Sequence, residues 1–140
     1  MNRELIIAIH ALVFLKHRGS YETSETIAAN VCTNPVCIRR VMTRLARSGL
    51  VLQRRGRKIG GYCYGSGKVT LDRVVQSLAL PIIKGSWQSG DEQAECLISS
   101  GMNEIVEKID SDLNTLCLNR LSQITIDDIE SQLIERSTTR

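Results

Sequence analysis

An arginine-rich helical segment with clear start and stop signals lies in the first half of the chain and restricts the possible folds. Asn34 and Pro35 are typical of a helix start, because asparagine can cap the first turn and proline fits the first helical position. Apolar residues then repeat at helical spacing until Gly49, which ends the segment. Ser24 is predicted to cap a shorter helix over residues 25–31. A short helix, a break and an arginine-rich helix in this order predict a helix-turn-helix.

A basic β-hairpin is predicted directly after the arginine-rich helix. Residues 50–52 begin an apolar strand, and residues 62–64 return antiparallel to it. The connecting segment RRGRKIGG is too long for a two-residue turn and holds four cations within five residues. A helix-turn-helix followed by such a hairpin is a winged helix-turn-helix. The predicted fold class is therefore mainly α with a small β-hairpin, followed by a long dimerisation helix.

The N-terminal segment MNRELIIAIHALVFLKHRG has the apolar character of a signal peptide, but we interpret it as a buried helix over residues 3–17. Glu4 and His10 interrupt the apolar run, and no small-residue cleavage site follows Leu15. No apolar run in the sequence reaches the roughly 18–20 residues that a membrane span needs. We therefore expect no membrane contact.

The second half of the chain has the pattern of a long amphipathic helix. After a helix predicted over residues 71–80, a longer one is predicted over 92–120, which would extend about 40 Å. A last helix begins at Thr125. The apolar residues of the long helix step by 4, 3, 4, 4 and 3 positions, close to a coiled-coil seam: Ile98, Met102, Ile105, Ile109, Leu113 and Leu116. We infer that a second subunit covers this stripe, and packing within one chain is the alternative.

Charge is distributed unevenly along the chain. Residues 1–80 hold 13 Lys and Arg against 4 Asp and Glu, a formal +9, whereas residues 81–140 hold 5 against 11, a formal −6. This asymmetry indicates nucleic acid as the partner of the first half, and two ordinary solvated faces are the alternative. We divide the chain into a DNA-binding domain at 1–82 and a helical dimerisation region at 83–140.

The predicted DNA contacts lie on the arginine-rich helix and the hairpin. A recognition helix presents its N-terminal residues to base edges, and arginine suits both guanine and phosphate. Helix geometry places Arg40, Arg44 and Arg47 on one face. Arg39 and Arg40 are the better base readers and Arg44 and Arg47 the better phosphate contacts, although the spacing alone does not assign them; a solvated basic face is the alternative. The complete predicted set is Thr33, Asn34, Pro35, Val36, Arg39, Arg40, Arg44, Arg47, Arg54, Arg55, Arg57, Lys58 and Tyr62.

The chain resembles the IscR/NsrR/CymR-type family of bacterial winged-helix transcription regulators. The resemblance covers nearly the whole chain and is most specific in residues 23–78. It is carried by TIAANVCTNPVCIRRVMTRLARSGLV, RRGRKIGGY, KVTLDRVVQSL and NRLSQITIDDI. It implies a homodimer on a partly palindromic double-stranded DNA operator, with the long helix pairing the subunits. The wing departs from the family pattern of a proline and three glycines, because Arg57, Lys58 and Ile59 precede Gly60 and Gly61.

The five cysteines form no regular framework, which fits a reducing cytoplasm better than a disulfide scaffold. Several members of the resembled family hold an iron–sulfur cluster through three closely spaced cysteines before the long helix. This chain has only Cys96 there, with Cys117 21 residues later, so we predict neither an iron–sulfur cluster nor another metal cofactor. His10 and His17 lack a partner at ligand spacing and are interpreted as packed or surface residues.

Cys37 and Cys32 are the candidates for a thiol switch. Cys37 falls in the first turn of the arginine-rich helix, where the helix N-terminus and the arginines favour a thiolate. Oxidation there would add bulk or charge at the DNA-facing surface. Simple packing of both cysteines in the turn is the alternative.

The leading functional hypothesis is a homodimeric, sequence-specific repressor located in the cytoplasm. The alternative is a redox- or metal-sensing protein that acts through protein partners and keeps the winged helix as a scaffold. A thiol enzyme would need a general base near a reactive cysteine. The two histidines lie in a different predicted element from every cysteine, so we predict no enzymatic activity.

Overall fold

The computed structural model describes residues 1–56 and 60–140. Within these residues six helices and one antiparallel hairpin follow in the order α1 (Arg3–Arg18), α2 (Ser24–Val31), α3 (Pro35–Arg47), β1 (Val51–Arg54), β2 (Gly61–Tyr64), α4 (Leu71–Leu78), α5 (Leu97–Leu121) and α6 (Ile126–Thr138). This arrangement confirms the predicted fold class. In the described part of the chain no helix is long and apolar enough to cross a membrane.

The buried core is formed by α1, α2, α3, α4 and the hairpin together. Leu12 and Leu15 of α1 are fully buried and belong to the same cluster as Ile27 of α2 and Leu45 of α3. Ile126, the first residue of α6, is also fully buried in this cluster. Such a core fixes the orientation of α3, because its apolar side is held by three other helices.

Of the two helix caps predicted for the helix-turn-helix, one is confirmed and one is wrong. The Asn34 side chain accepts a hydrogen bond of 2.9 Å from the N–H of Cys37, so α3 begins as predicted. The cap of α2 is Thr23 and not Ser24, because the Thr23 hydroxyl accepts a 3.1 Å hydrogen bond from the N–H of Thr26. Ser24 is already helical and buried.

Two helices of the second half are shorter than predicted. The chain leaves α4 at Ala79, which has a left-handed backbone, so the helix ends before residue 80. The prediction that α5 begins at residue 92 is wrong, since the helix begins at Leu97. The preceding segment turns at Gly90, and the N–H of Asp91 donates to the carbonyl of Ser99 at 3.0 Å.

The hairpin is fixed to the segment between α1 and α2. Its strands pair Val51 with Tyr64 and Arg54 with Gly61. Glu22 and Tyr62 exchange two backbone hydrogen bonds of 2.8 Å, so the loop before α2 pairs with β2 through one antiparallel β-bridge. Gly61 is required here, because a Cβ atom at this position would lie 2.4 Å from the Glu22 carbonyl oxygen.

The last helix, α6, returns to the N-terminal half of the molecule and packs against α1. The ammonium group of Lys16 lies 3.1 Å from a carboxylate oxygen of Asp127 and 3.1 Å from one of Glu130. His17 lies 3.2 Å from the other carboxylate oxygen of Glu130, and His10 lies 2.9 Å from the side-chain oxygen of Asn30. The division of the chain between residues 82 and 83 stays a prediction.

We expect Glu130→Gln to lower the thermal unfolding midpoint at pH 7 by about 1–3 °C. The hydrogen bond from Lys16 lowers the pKa of Glu130 below its ordinary value. A lowered carboxyl pKa contributes stability above the unfolded-state pKa of about 4.3, and this contribution is lost as the pH falls through the folded-state value. Circular dichroism melts should therefore show the difference at pH 6–7 and a smaller difference below about pH 4.

The matched control for this prediction is Glu135→Gln, which removes the same charge from an exposed position of α6. It should leave the melting midpoint within about 1 °C of the wild type. A Glu130→Gln deficit that stays constant from pH 7 to pH 3 would contradict the ion-pair explanation.

Candidate nucleic-acid interface

One side of α3 is exposed and carries the helix's positive charge. The opposite side is buried through Ile38, Val41, Met42 and Leu45. The exposed positions repeat at helical spacing and are Val36, Arg39, Arg40, Thr43 and Arg47. The helix has four arginines and no Asp or Glu, and the side chain of Val36 is unusually open for a large apolar residue, at 64% exposure. We call these five exposed residues the recognition face.

The first turn of α3 lies beside the N-terminus of α1. Asn34 is exposed, and its side-chain oxygen is already used to cap the helix. Thr33 is half-buried, and its hydroxyl accepts a hydrogen bond of 3.4 Å from a guanidinium nitrogen of Arg3. Pro35 occupies the first helical position. Arg3 therefore adds a cation beside the recognition face that sequence reasoning did not include.

Arg39 and Arg40 lie on opposite edges of the recognition face and have different partners. Arg39 Nη1 donates to the Ser24 hydroxyl at 3.1 Å and lies 3.5 Å from Glu25 Oε1. Arg40 Nη2 lies 3.0 Å from Glu4 Oε1. Both side chains are about half exposed, so both remain accessible to a ligand that approaches α3.

Arg44 and Arg47 do not share an environment, although helix geometry predicted the same face for them. Arg44 Nη1 lies 3.0 Å from Glu4 Oε2 and donates to the Leu78 carbonyl at 3.3 Å. Arg44 thus connects α3 to α1 and to the last residue of α4. Arg47 is exposed at the end of the recognition face. The assignment of either arginine to phosphate contact stays a prediction.

The described residues of the hairpin contribute fewer exposed contacts than predicted. The guanidinium carbon of Arg54 lies 4.0 Å from the centroid of the Tyr21 ring, a stacked cation–π arrangement. Arg55 is exposed, whereas Arg57 and Lys58 lie outside the described residues. Tyr62 was expected at the DNA surface but is only 6% exposed, because its side chain packs into the core beneath the hairpin.

Two residues of the interface were missed by the sequence analysis for different reasons. Thr43 lies between Arg39 and Arg47 on the recognition face, and its hydroxyl donates to the Arg39 carbonyl at 2.8 Å. The helical spacing of positions 36, 40, 43 and 47 was a sufficient signal for it. Arg3 reaches the interface only through the packing of α1, and no local pattern indicates that position.

The candidate switch cysteines are both free thiols in the structure. Cys32 is exposed at the end of α2, where its backbone adopts a left-handed conformation with φ of 64°. Cys37 is half-buried in the first turn of α3. The two cysteines therefore flank the turn that separates the two helices, and their role as a switch stays a prediction.

A helix-turn-helix with a hairpin after it and an arginine-rich exposed helix face defines a winged-helix transcription regulator. A family model named Rrf2 and described as an iron-dependent transcriptional regulator matches residues 1–132. The chain belongs to the Rrf2 family, which confirms the resemblance found in the sequence.

Solved structures agree with this assignment. A protein proposed to be a transcriptional regulator, from Lactobacillus plantarum, is 22% identical with a TM-score of 0.81, over 99% of this chain and 95% of that one. CymR, the global cysteine regulator of B. subtilis, is 20% identical with a TM-score of 0.60, over 94% and 96%. IscR of T. potens is 18% identical with a TM-score of 0.61, over 95% and 87%. At these identities the likeness establishes the fold. A search of curated protein sequences found no match.

The family description mentions iron, and the described residues do not fit an iron centre within one chain. Cys96 is exposed immediately before α5, and Cys117 lies near the other end of the same helix. Their separation of 21 residues corresponds to about 30 Å along a helix, too far for shared ligation. Within residues 1–56 and 60–140, no three His, Cys, Asp or Glu side chains come together as a ligand set.

Proposed function

We propose that the protein is a homodimeric, sequence-specific transcriptional regulator that represses by occupying its operator in the cytoplasm. The observation that carries this proposal is the recognition face, where three arginines and an exposed valine lie on one rigidly packed helix that has no acidic residue. Arginine provides both phosphate contact and bidentate guanine contact, and valine can contact a thymine methyl group. The proposed mechanism includes no iron–sulfur or metal cofactor.

The homodimer is supported by the exposed apolar stripe on α5. Ile98, Ile105, Ile109 and Leu116 are all more than half exposed in the single chain. Other residues of α5 contact the rest of the same chain. One of them is Asn114, whose side chain makes two hydrogen bonds of 2.8 Å with the backbone of Ile83. A continuous apolar stripe of this length is typical of an interface, and a second α5 has the matching shape and chemistry.

We expect the protein to prefer its own upstream DNA over a scrambled duplex by about 10³-fold or more. The affinity for both should fall steeply with salt, because about 6–8 cations per subunit displace counterions from the phosphates. Fluorescence anisotropy with labelled duplexes at several salt concentrations measures both quantities. Equal and weak binding to both duplexes would instead favour the scaffold hypothesis, in which the winged helix serves contacts with protein partners.

We also propose that Cys37 makes DNA binding sensitive to oxidants, with Cys32 as its neighbour across the turn. Hydrogen peroxide would oxidise the sulfur of Cys37 to a sulfenic acid, with release of water, in the first turn of α3, where added bulk lies beside Val36 and Asn34. We expect mild peroxide to weaken operator binding by the wild type and to leave Cys37→Ser unchanged. Anisotropy before and after peroxide, with Cys117→Ser as the control, measures this. Continued peroxide sensitivity of Cys37→Ser would end the proposal.

A further inference from the structure

Glu4 lies in the first turn of α1 and contacts two arginines of α3. One carboxylate oxygen, Oε1, lies 3.0 Å from Arg40 Nη2, and the other, Oε2, lies 3.0 Å from Arg44 Nη1. The Glu4 side chain is 22% exposed, so both contacts are partly shielded from solvent. A single carboxylate thus pairs with two arginines of α3 and offsets one of their two positive charges.

Glu25 has a related position at the other edge of α3. Its carboxylate lies 3.5 Å from Arg39 Nη1, but its side chain is 68% exposed. Only four acidic residues occur among residues 1–80, and two of them, Glu4 and Glu25, contact arginines of α3. Because a more exposed ion pair is screened more strongly by water and salt, Glu4 holds its arginines more strongly than Glu25 holds Arg39.

A carboxylate beside a DNA-binding arginine affects specific and non-specific binding differently. On non-specific DNA the arginine gains only a phosphate contact, and the carboxylate competes with that phosphate for the same guanidinium group. On the operator the arginine can keep its contact with the carboxylate while its other N–H groups donate to a base edge, since a guanidinium group carries five N–H donors. The ion pair within the protein therefore weakens binding to non-specific DNA more than binding to the operator. Such a difference in affinity is a general route to specificity.

We propose that Glu4 is a specificity-determining residue that restrains Arg40, and through it the recognition face, from binding DNA of arbitrary sequence. Glu4 acts through the arginines and does not itself contact DNA, so it is a positioning residue. Arg44 contributes by holding the carboxylate in place, since it is fixed by the Leu78 carbonyl as well as by Glu4. This inference rests on the proposed DNA-binding function.

The test compares Glu4→Gln with Glu104→Gln. Glu104 lies on α5 and pairs with Lys108, so this control removes the same charge far along the chain from α3. On a scrambled duplex, Glu4→Gln should bind about 3–10-fold more tightly than the control, and its salt dependence should steepen by about one released counterion. Binding to upstream DNA should change less, so the preference for upstream DNA should fall.

The outcomes separate this inference from the proposed function. A wild type without preference for its upstream DNA would count against the function, whereas the scrambled-duplex comparison of Glu4→Gln with Glu104→Gln tests the inference by itself. Equal or weaker binding of Glu4→Gln to the scrambled duplex would overturn the inference. Loss of a negative charge near the DNA would by itself tighten binding to both duplexes equally, whereas the inference requires a larger gain on the scrambled duplex than on upstream DNA. Melting curves of both variants verify folding. Glu25→Gln should change scrambled binding in the same direction by a smaller factor, and a loss of affinity there would also count against the inference.

Discussion

Ile105→Asp is expected to leave the protein monomeric and to weaken operator binding by about 10²–10⁴-fold. Ile105 lies in the middle of the exposed stripe of α5, where it is 52% exposed in the single chain. In the proposed dimer a carboxylate at this position would be buried against the apolar stripe of the second subunit without a cationic partner. Since each monomer contacts only half of a palindromic operator, loss of the dimer removes the benefit of linked half-sites.

Size-exclusion chromatography with light scattering measures the oligomeric state, and anisotropy measures operator affinity. The control is Thr115→Asp, which adds the same charge to α5 outside the stripe, where the threonine hydroxyl donates to the backbone carbonyl of Ser111 in the same helix. Thr115→Asp should remain dimeric and bind as the wild type does. A monomeric wild type, or an Ile105→Asp protein that stays dimeric, would show that α5 does not pair the subunits.

Much of the fold could be predicted because its signals are local. Asn34 and Pro35 mark the start of α3 whatever the remainder of the chain does, since the cap bond spans only three residues. The error at Thr23 and Ser24 is also local, because two adjacent hydroxyl residues are equally good caps by sequence. Burial of Ser24 decides between them, and burial is a property of the folded molecule.

The interface was less predictable, because its details depend on contacts between distant parts of the chain. The pairing of Glu4 with Arg44 joins residues 40 positions apart, so helix spacing alone placed Arg44 beside Arg47. In the same way, Tyr62 was included in the predicted set of DNA contacts, although its side chain is buried in the core. Its backbone exchange with Glu22 instead holds the strand against the loop before α2.

Arg39→Ala is expected to reduce operator affinity by about 1–3 kcal/mol and to relax the preference at one base position. Arg39 lies in the second turn of α3, and the Ser24 hydroxyl and Glu25 carboxylate hold its guanidinium group at the edge of the recognition face. An arginine oriented in this way loses less side-chain entropy when it forms two hydrogen bonds with guanine. Truncation should therefore affect the operator much more than scrambled DNA.

Arg47→Ala provides the contrast for Arg39→Ala, because Arg47 lies at the C-terminal end of the same face. We expect it to weaken binding to both duplexes by a similar factor and to reduce the salt dependence by about one counterion. Anisotropy against a set of operators with single base changes distinguishes the two behaviours. If Arg39→Ala also weakened all duplexes equally, Arg39 would be a phosphate contact. Base reading would then have to come from Arg40, so the two arginine experiments and the Glu4 experiment constrain one another.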